Sequence, residues 1–413
     1  MIITNLTEQM MYRILMESIE ENYDKEQEAR ETKMDFYEGI NLQEDLRKYF
    51  DSESLSQIPP AYLNLTRSII EKRAGVYQQQ PVRYADEKYL DALGDLNSVM
   101  KEFEKLVYLL GTEALYTYWS EEKQMLMYRP LHFFTPYFRP NEDDPFMVMW
   151  QVESQLQARS EDAQFMVWSK STDDMPGKHF MISSKGKITS LVDDDLNPFG
   201  DVLPINFGHR SFMTRDFMRA GAEDIIDANR SVNIMLTELA LSSRFQLGQP
   251  VISSNANVTA MKESIKFMID SVAQANNVKM NFTNPQAESG LSKKMSQLDL
   301  MDALRSDTEQ IYRPFEKEQF RISRRILEVS AGINVSEEFS VDFQEKSIPM
   351  SSQEEIDYFT FAFANDLESR QSYLRKKNPD LKEEEIQEIV DQVDQDTPEA
   401  PTGTILDQIR QGS

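Results

Sequence analysis

Residue types that could do chemistry are scattered along this chain and form no recognisable catalytic pattern. The three histidines, His132, His179 and His209, lie far apart, and none has the His-Glu-x-x-His spacing of zinc hydrolases. The sequence contains no glycine-rich phosphate loop and no Gly-x-Ser-x-Gly nucleophile elbow. We therefore interpret each histidine as a structural or surface residue. We expect a protein that is not an enzyme, with no catalytic residue, cofactor or metal.

Acidic clusters are the next candidates, because carboxylate oxygens bind hard divalent cations. Asp193, Asp194 and Asp195 are consecutive, but they lack the spacing of a calcium loop and end in a turn. We prefer a solvated turn for them, since runs of charge are usually exposed. The acidic stretch 380–399 is interpreted as a solvated helix face. A nuclease with a carboxylate-bound metal is kept as a less favoured alternative.

Among the basic pairs of this acidic chain, two are singled out, Lys293-Lys294 and Arg324-Arg325. Either pair, taken alone, is better explained as solvent-facing charge on a helix than as a binding site. The methionine-rich stretches are interpreted as core or interface filler, because methionine fills irregular apolar gaps.

Composition narrows the class of protein further. The chain has 413 residues, so we expect more than one subdomain, and 40% of the residues are hydrophobic. The absence of cysteine excludes disulfides and thiolate metal sites. The net charge of −26 opposes nonspecific adhesion to nucleic acid and to anionic membranes. No apolar run approaches the ~20 residues of a membrane span, and the N-terminus does not look like a secretory signal. We expect no membrane partner and assembly in a cytoplasm.

Hydrophobic periodicity predicts a mainly helical α+β fold. Helical spacing covers 5–36 and 87–110, and short aromatic-rich segments between 112 and 190 alternate as antiparallel strands do. Residues 217–247 form one long helix in this interpretation, and a second begins at about 289. Between the two helices, we expect a small insertion with a helix flanked by strands at 250–253 and 278–282.

Each long helix carries an apolar stripe that it cannot bury alone. Neighbouring copies of the same chain in a ring would cover such stripes. Pro314 is expected to interrupt the second helix, because proline lacks an amide donor and clashes with the preceding turn. The residues expected at a ring interface are Ile225, Val232, Met235, Leu239, Leu291, Met295 and Leu298.

The order of these features resembles that of the portal, or head-to-tail connector, proteins of tailed bacteriophages. The resemblance runs from about residue 25 to 395. The wing helices of this family are similar to DFYEGINLQEDL and NLTRSIIEKRAGVYQQQPV, and the passage from helix to wing strands is similar to LVYLLGTEALYTYWSEEKQMLMYRPL. The turn before the stem resembles NPFGDVLPINF, and the first stem helix resembles DIIDANRSVNIMLTELALSSRFQLGQPVI. The exit to the crown resembles FQEKSIPMSSQEEIDYF.

The resemblance implies a portal-like architecture. A strand-rich wing is followed by two long stem helices that flank a small α/β clip, and a short helical C-terminal crown ends the chain. A departure is the absence of a separate tunnel loop between Ile311 and Phe315. The implied boundaries are 1–215 with 315–350 for the wing, 216–247 for the first stem helix, 248–288 for the clip, 289–314 for the second stem helix and tunnel kink, and 351–413 for the crown and a disordered tail.

The function implied is structural. A homo-oligomeric ring, a dodecamer in this family, would sit at one capsid vertex of the virion and conduct double-stranded DNA during packaging and ejection. Its partners would be the terminase packaging motor, head-tail adaptor or tail proteins, and the major capsid and scaffolding proteins. Another ring-forming adaptor or structural virion protein remains an alternative.

Channel-facing residues are proposed from their positions on the second stem helix. Lys293 and Lys294 would form one sparse basic level of an acidic lumen, and Tyr312 with Arg313 would lie at a second level. The alternative is that these side chains face neighbouring helices and form ion pairs with Asp299, Asp302 or Glu309.

Overall fold

The computed structural model describes most of the chain between residues 8 and 343. The chain divides into two compact units, Met1–Lys346 and Ser347–Ser413, and of the second unit only Gln371 and Gln387 are described. The described ranges are 8–21, 23–40, 42–51, 60–139, 142–152, 163–172, 175–191, 195–210, 216–248, 255–280 and 290–343.

The fold is mixed α+β, about half helical, with antiparallel sheets, which confirms the predicted class. The described helices are α1 Glu8–Glu21, α2 Tyr23–Glu38, α3 Leu42–Arg47, α4 Leu65–Arg73, α5 Glu87–Ala92, α6 Leu96–Leu110, α7 Glu223–Gly248, α8 Asn255–Ala275, α9 Gly290–Asp307 and α10 Arg313–Ile326. The described strands are β1 Val82–Tyr84, β2 Thr112–Ser120, β3 Met125–Leu131, β4 Thr135–Tyr137, β5 Met147–Gln151, β6 Gln164–Ser169, β7 His179–Ser183, β8 Ile188–Ser190, β9 Ile205–His209 and β10 Ser340–Asp342.

A three-stranded antiparallel sheet, in the order β3-β2-β9, lies at the centre of the main core. The passage from α6 into β2 needs a glycine. Gly111 has a φ of 88°, and a Cβ at this position would meet the carbonyl oxygen of Arg219 at 2.1 Å. Only glycine tolerates both the positive φ and the close backbone approach. The turn therefore delivers the apolar stripe of α6 directly onto the sheet that follows it.

A five-stranded meander, in the order β4-β5-β6-β7-β8, forms the second large sheet. One of its faces is covered by α1, whose Met11 and Leu15 are fully buried against Val167 and Phe180 of the sheet. The two-residue period of strands places Phe165, Val167 and Ser169 on one face of β6. The predicted strand-rich block between 112 and 190 is confirmed as antiparallel sheet.

A helical cluster surrounds the start of α7. Ile225 and Val232 of α7 pack in one core with Ile265, Ile269 and Ala273 of α8. Apolar residues in α8 recur at positions i, i+4 and i+8, so the helix presents one stripe to its neighbour. The segment expected as a self-contained clip therefore contributes to the same core as α4 and α6, which differs from the prediction.

The strands predicted around α8 also need correction. Residues 278–280 are not in a strand; Val278 and Met280 are buried against the helical cluster. A short apolar run gives the same signal in a strand and in a buried irregular segment, which is why the pattern misled. The other predicted strand, 250–253, lies outside the described residues.

A continuous helical segment joins α9 to α10, so the break predicted at Pro314 is wrong. Residues Thr308–Tyr312 form a π-turn, and the amide of Arg313 bonds to the carbonyl of Thr308. Pro314 lies just after this π-turn, inside the continuous helical segment. The wider π-turn re-pairs the backbone that a proline would otherwise leave unbonded.

Candidate functional site

The predicted ring-interface residues of α7 lie mostly inside the chain. Ile225 and Val232 are buried within the helical cluster, and Met235 and Leu239 are partly buried against it. The prediction that Ile225 and Val232 meet a neighbouring copy is therefore wrong. α8 covers the stripe that we expected a second chain to cover.

The predicted interface on α9 has a different environment. Leu298 is 44% exposed, whereas Leu304, further along α9, is buried in the main core. Leu291 and Met295 lie within the bounds of α9, but their side chains are outside the described part of the structure. The same holds for the predicted channel residues Lys293 and Lys294.

Tyr312 cannot line a channel, which corrects the prediction for this residue. Its side chain is 0% exposed, and its ring packs edge-on against Tyr77 at 5.3 Å between centroids. Burial raises the pKa of its hydroxyl well above the usual value. The π-turn places Tyr312 on the core side of the helix, and helical spacing alone does not reveal the phase change that such a turn introduces.

Arg313 is half-buried and is fully engaged within the chain. Its guanidinium donates to both carboxylate oxygens of Glu309, at 3.0 and 3.1 Å, and to the carbonyl of Val341 at 2.6 Å. The guanidinium also lies over the ring of Phe343 at 5.9 Å. The geometry matches the ion-pair alternative for this residue, and the pair with Glu309 neutralises its charge locally.

A buried ion pair anchors α10 to the start of the chain's main core. Arg83 of β1 donates to both oxygens of Glu316, at 2.8 and 2.6 Å, and both residues are buried. Tyr77 donates its hydroxyl to the same carboxylate at 2.9 Å, and Asn97 accepts from Arg83 at 2.7 Å. Two parallel N–H···O bonds fix the angle between guanidinium and carboxylate as well as their distance.

One further buried carboxylate, Glu104, and one partly buried carboxylate, Asp307, hold the region around the π-turn. Glu104 of α6 accepts the backbone amides of Gly75, Val76 and Tyr77 at 2.7 to 3.0 Å. Asp307, the last residue of α9, pairs with Arg73 at 2.5 Å and also accepts from the hydroxyl of Tyr108. The junction of α9 and α10 is thus held by charged groups from α4 and α6.

The three histidines occupy separate structural sites. His132 bonds to Glu113 at 2.9 Å, and Arg30 of α2 pairs with the same carboxylate at 2.9 Å. Glu113 is completely buried, and this desolvation raises its pKa, although Arg30 and His132 oppose the shift.

The other two histidines are kept neutral by burial. His179 stacks on Trp168, with 3.6 Å between ring centroids, and His209 bonds to the hydroxyl of Thr112 at 3.1 Å. Desolvation lowers the pKa of each of these imidazoles to about 4. Within the described residues, no group of three histidine, aspartate or glutamate side chains could hold a metal ion.

The remaining charged candidates have separate environments. Arg324 pairs with Glu337 at 2.9 Å, and Arg325 pairs with Glu328 at 2.8 Å. Asp195 lies at a turn with a φ of 54°, while Asp193 and Asp194 are outside the described residues. The two arginines form ordinary helix contacts, whereas Oδ1 of Asp195 is buried and bonds to no described residue, so the prediction of a solvated turn is wrong for this carboxylate.

Sequence analysis did not identify the buried ionic network. A signal was present for two of its members, because Glu104 follows Phe103 within the apolar stripe of α6 and Glu316 follows Phe315 in α10. A carboxylate in a core-facing position is costly unless it is paired. Such a position therefore predicts a buried partner, although not which arginine supplies it.

Among the described helices, none combines the length and apolarity that a bilayer span requires. No protein-family model matches the chain, and comparison with curated proteins finds no significant relative.

Proposed function

We propose that this chain assembles into a ring, in the manner of bacteriophage portal proteins, and conducts double-stranded DNA through a central channel. The observation that carries the proposal is the environment of α9. This helix continues into the anchored α10 and packs on the main core through Leu304, yet Leu298 on it is 44% exposed. A helix held firmly at one end, with an exposed apolar residue further from that end, is suited to packing against another copy.

The order of elements also supports the proposal. Helices precede a strand-rich block, and α7 and the α9–α10 segment follow it, which is the order of wing and stem that the sequence resemblance implies. The partners in this proposal are the terminase motor, adaptor or tail proteins, and the capsid and scaffolding proteins. The site of action is the capsid vertex of the virion.

The net charge of −26 per chain suits a conducting role better than a gripping role. An acidic lumen repels DNA phosphates, so the duplex can slide without lasting contacts. The proposal keeps Lys293 and Lys294 as a sparse basic level. It no longer includes Tyr312, which is buried, and it assigns Arg313 to an ion pair with Glu309.

The packing of α8 changes how a clip would be assigned. Since α8 contributes Ile265 and Ile269 to the core around α7, a motor-docking surface cannot be a detachable 248–288 insertion. The proposal therefore places docking on exposed residues of α8, such as Phe267, which is 74% exposed.

The decisive experiment measures the assembly state. Native mass spectrometry and electron microscopy of the purified protein should show closed rings of about ten or more copies, as the symmetry of such assemblies implies. Leu298→Asp should reduce ring formation, whereas Phe267→Asp, a matched change at an exposed apolar residue on α8, should leave rings intact. A stable monomer at micromolar concentration would sink the proposal.

A further inference from the structure

The short helix α4 contacts both long helical segments of the chain. Its buried face, formed by Leu65, Ile69 and Ile70, packs in the same cluster as Ile225 and Val232 of α7. Nine residues at about 1.5 Å each give α4 a length of about 13 Å. Apolar burial is non-directional, so the polar contacts at the two ends of α4 determine where it is held.

The first turn of α4 is held by a side chain of α7. Oδ1 of Asn229 accepts the amides of Leu65 and Thr66 at 2.6 and 2.9 Å. Nδ2 of Asn229 donates to the carbonyl of Leu63 at 3.1 Å, and the whole residue is buried. The first amides of a helix have no acceptor within that helix. An acceptor on α7 therefore fixes the start of α4 relative to α7.

The same face of α7 also holds the segment that leads into α4. Asn233 and Thr237 follow Asn229 at intervals of four residues, and both are buried. Asn233 accepts the amide of Leu63 at 2.8 Å, and Thr237 donates to the carbonyl of Ala61 at 3.1 Å. Residues four apart lie on one side of a helix, so three successive turns of α7 bind one segment. These directional bonds prevent α4 from sliding along α7.

The last turn of α4 is held by the junction of α9 and α10. Arg73 pairs with Asp307 at 2.5 Å, and neither side chain is much exposed. Tyr77, four residues further on, packs against Tyr312 of the π-turn and donates its hydroxyl to Glu316 at 2.9 Å. Hydrogen bonds between charged groups are stronger than those between neutral groups. The end of α4 and the turn after it are therefore attached to the junction.

We propose that α4 is a rigid strut that couples the position of α7 to the position of the α9–α10 junction. A short helix with directional bonds at both ends cannot follow one partner without moving the other. A displacement of α7 would strain the contacts of Asp307 and Tyr312, and loosening of the junction would weaken the hold of Asn229 on α4. This reciprocity is required of any coupling between two sites. The inference does not depend on the formation of a ring.

Hydrogen exchange of the full chain tests the coupling from the side of α7. Asn229→Ala removes both acceptor bonds to α4, so the amides of 308–313 should exchange at least about fivefold faster, although no group at the junction has changed. Asn229→Asp keeps the acceptor oxygen and should leave these amides close to their rates in the unaltered chain. The matched control is Asn276→Ala, because Asn276 is a buried asparagine next to α8 that bonds to Arg210 and not to α4. This control should leave the junction amides unchanged.

A double-mutant cycle tests whether the two ends act through α4. Asn229→Ala and Arg73→Met alter sites about 13 Å apart that share no bond, so independent effects on the unfolding equilibrium constant should multiply. With a strut, the double variant should be at least about fivefold more stable than that product, because the first change already frees the helix. Repeated in a Glu71→Gly background, which softens α4 at an exposed position, the departure should shrink, whereas Glu71→Ala should preserve it.

Three results would each overturn the proposal. They are effects that multiply in the cycle, unchanged exchange at 308–313 in Asn229→Ala, and equal acceleration in Asn276→Ala. If Asn229→Ala does not fold, Asn229→Ser replaces it in both tests, because its shorter side chain does not reach α4.

Discussion

The two long helical segments of the chain differ in where their apolar residues lie. α7 buries Ile225 and Val232 against α8 within one chain, while Leu298 on α9 is 44% exposed. The two stripes look alike in the sequence. The difference arises because α8 lies alongside α7, whereas the described core contacts of α9 lie towards its C-terminal end, at Leu304 and Asp307. An apolar stripe therefore predicts that a helix needs a partner, but the rest of the fold determines whether that partner is in the same chain.

Breaking the ion pair that anchors α10, the helix into which α9 continues, should cause the largest loss of folding stability. Glu316→Ala should lower the free energy of unfolding by about 3–5 kcal/mol, because it leaves Arg83 buried without a counter-charge. Urea denaturation at pH 7 measures this loss. The double variant Arg83→Met/Glu316→Leu should recover most of it, since no charge then remains buried. A double variant as unstable as Glu316→Ala would show that the pair is not the source of the cost.

The contrast between α7 and α9 can be tested with matched truncations. Ile225→Ala should cost about 2–5 kcal/mol of folding free energy, because it leaves a cavity in a packed core. Leu298→Ala should cost about 1 kcal/mol or less, since much of its surface is already in water. Denaturation at low protein concentration separates folding from association. Equal losses at the two sites would remove the difference on which the comparison rests.

Burial of His209, in strand β9, should make the free energy of unfolding depend on pH. The pKa of His209 is lowered from 6.5 to about 4 by burial, so the folded state resists protonation while the unfolded state does not. The stability that depends on neutral His209 is present above pH 6.5 and is lost as the pH falls towards 4. Between pH 7 and pH 5 the loss amounts to about 2 kcal/mol. His209→Gln should flatten this part of the stability profile by that amount; an unchanged profile would contradict the burial argument.

Substitutions on the partly exposed surface of α10 should have the smallest effect on the free energy of unfolding. Arg313→Gln removes a partly exposed pair with Glu309 and a bond to Val341, so we expect a loss of about 1 kcal/mol. Arg321→Gln, which removes the exposed pair with Glu318, serves as the matched control and should cost about 0–1 kcal/mol. Thermal unfolding of both variants measures these losses. A loss of several kcal/mol at Arg313 would mean that this residue, and not the buried pair, fixes the junction.

The sequence was sufficient for the class of fold and for most long elements. The periodicity of α6 and α7 and the aromatic alternation of β5, β6 and β7 are strong because each element buries one regular face. The packing of α8 was not predictable in this way. Its stripe shows that it needs a partner, but a pairing between helices depends on how the chain returns after Gly248, which single-element periodicity does not encode.

The candidate site was less predictable than the fold for a related reason. Arg313 was predicted to face a channel, with an ion pair to Glu309 as one form of the alternative, and the structure shows that ion pair. Tyr312 was assigned to the channel because Pro314 was expected to break the helix beside it, whereas the helix continues through the π-turn and this ring is buried.

The π-turn at Thr308–Tyr312 determines which side of α9 faces outward. A π-turn accommodates one residue more than the α-helix would, and each residue of an α-helix corresponds to a rotation of about 100° around the axis. Removing a single residue here would rotate α9 by about that angle relative to the fixed α10. Leu298 would then move away from its present orientation without any change in its neighbours along the chain. The rotational setting of the whole of α9 is thus controlled by the length of one turn.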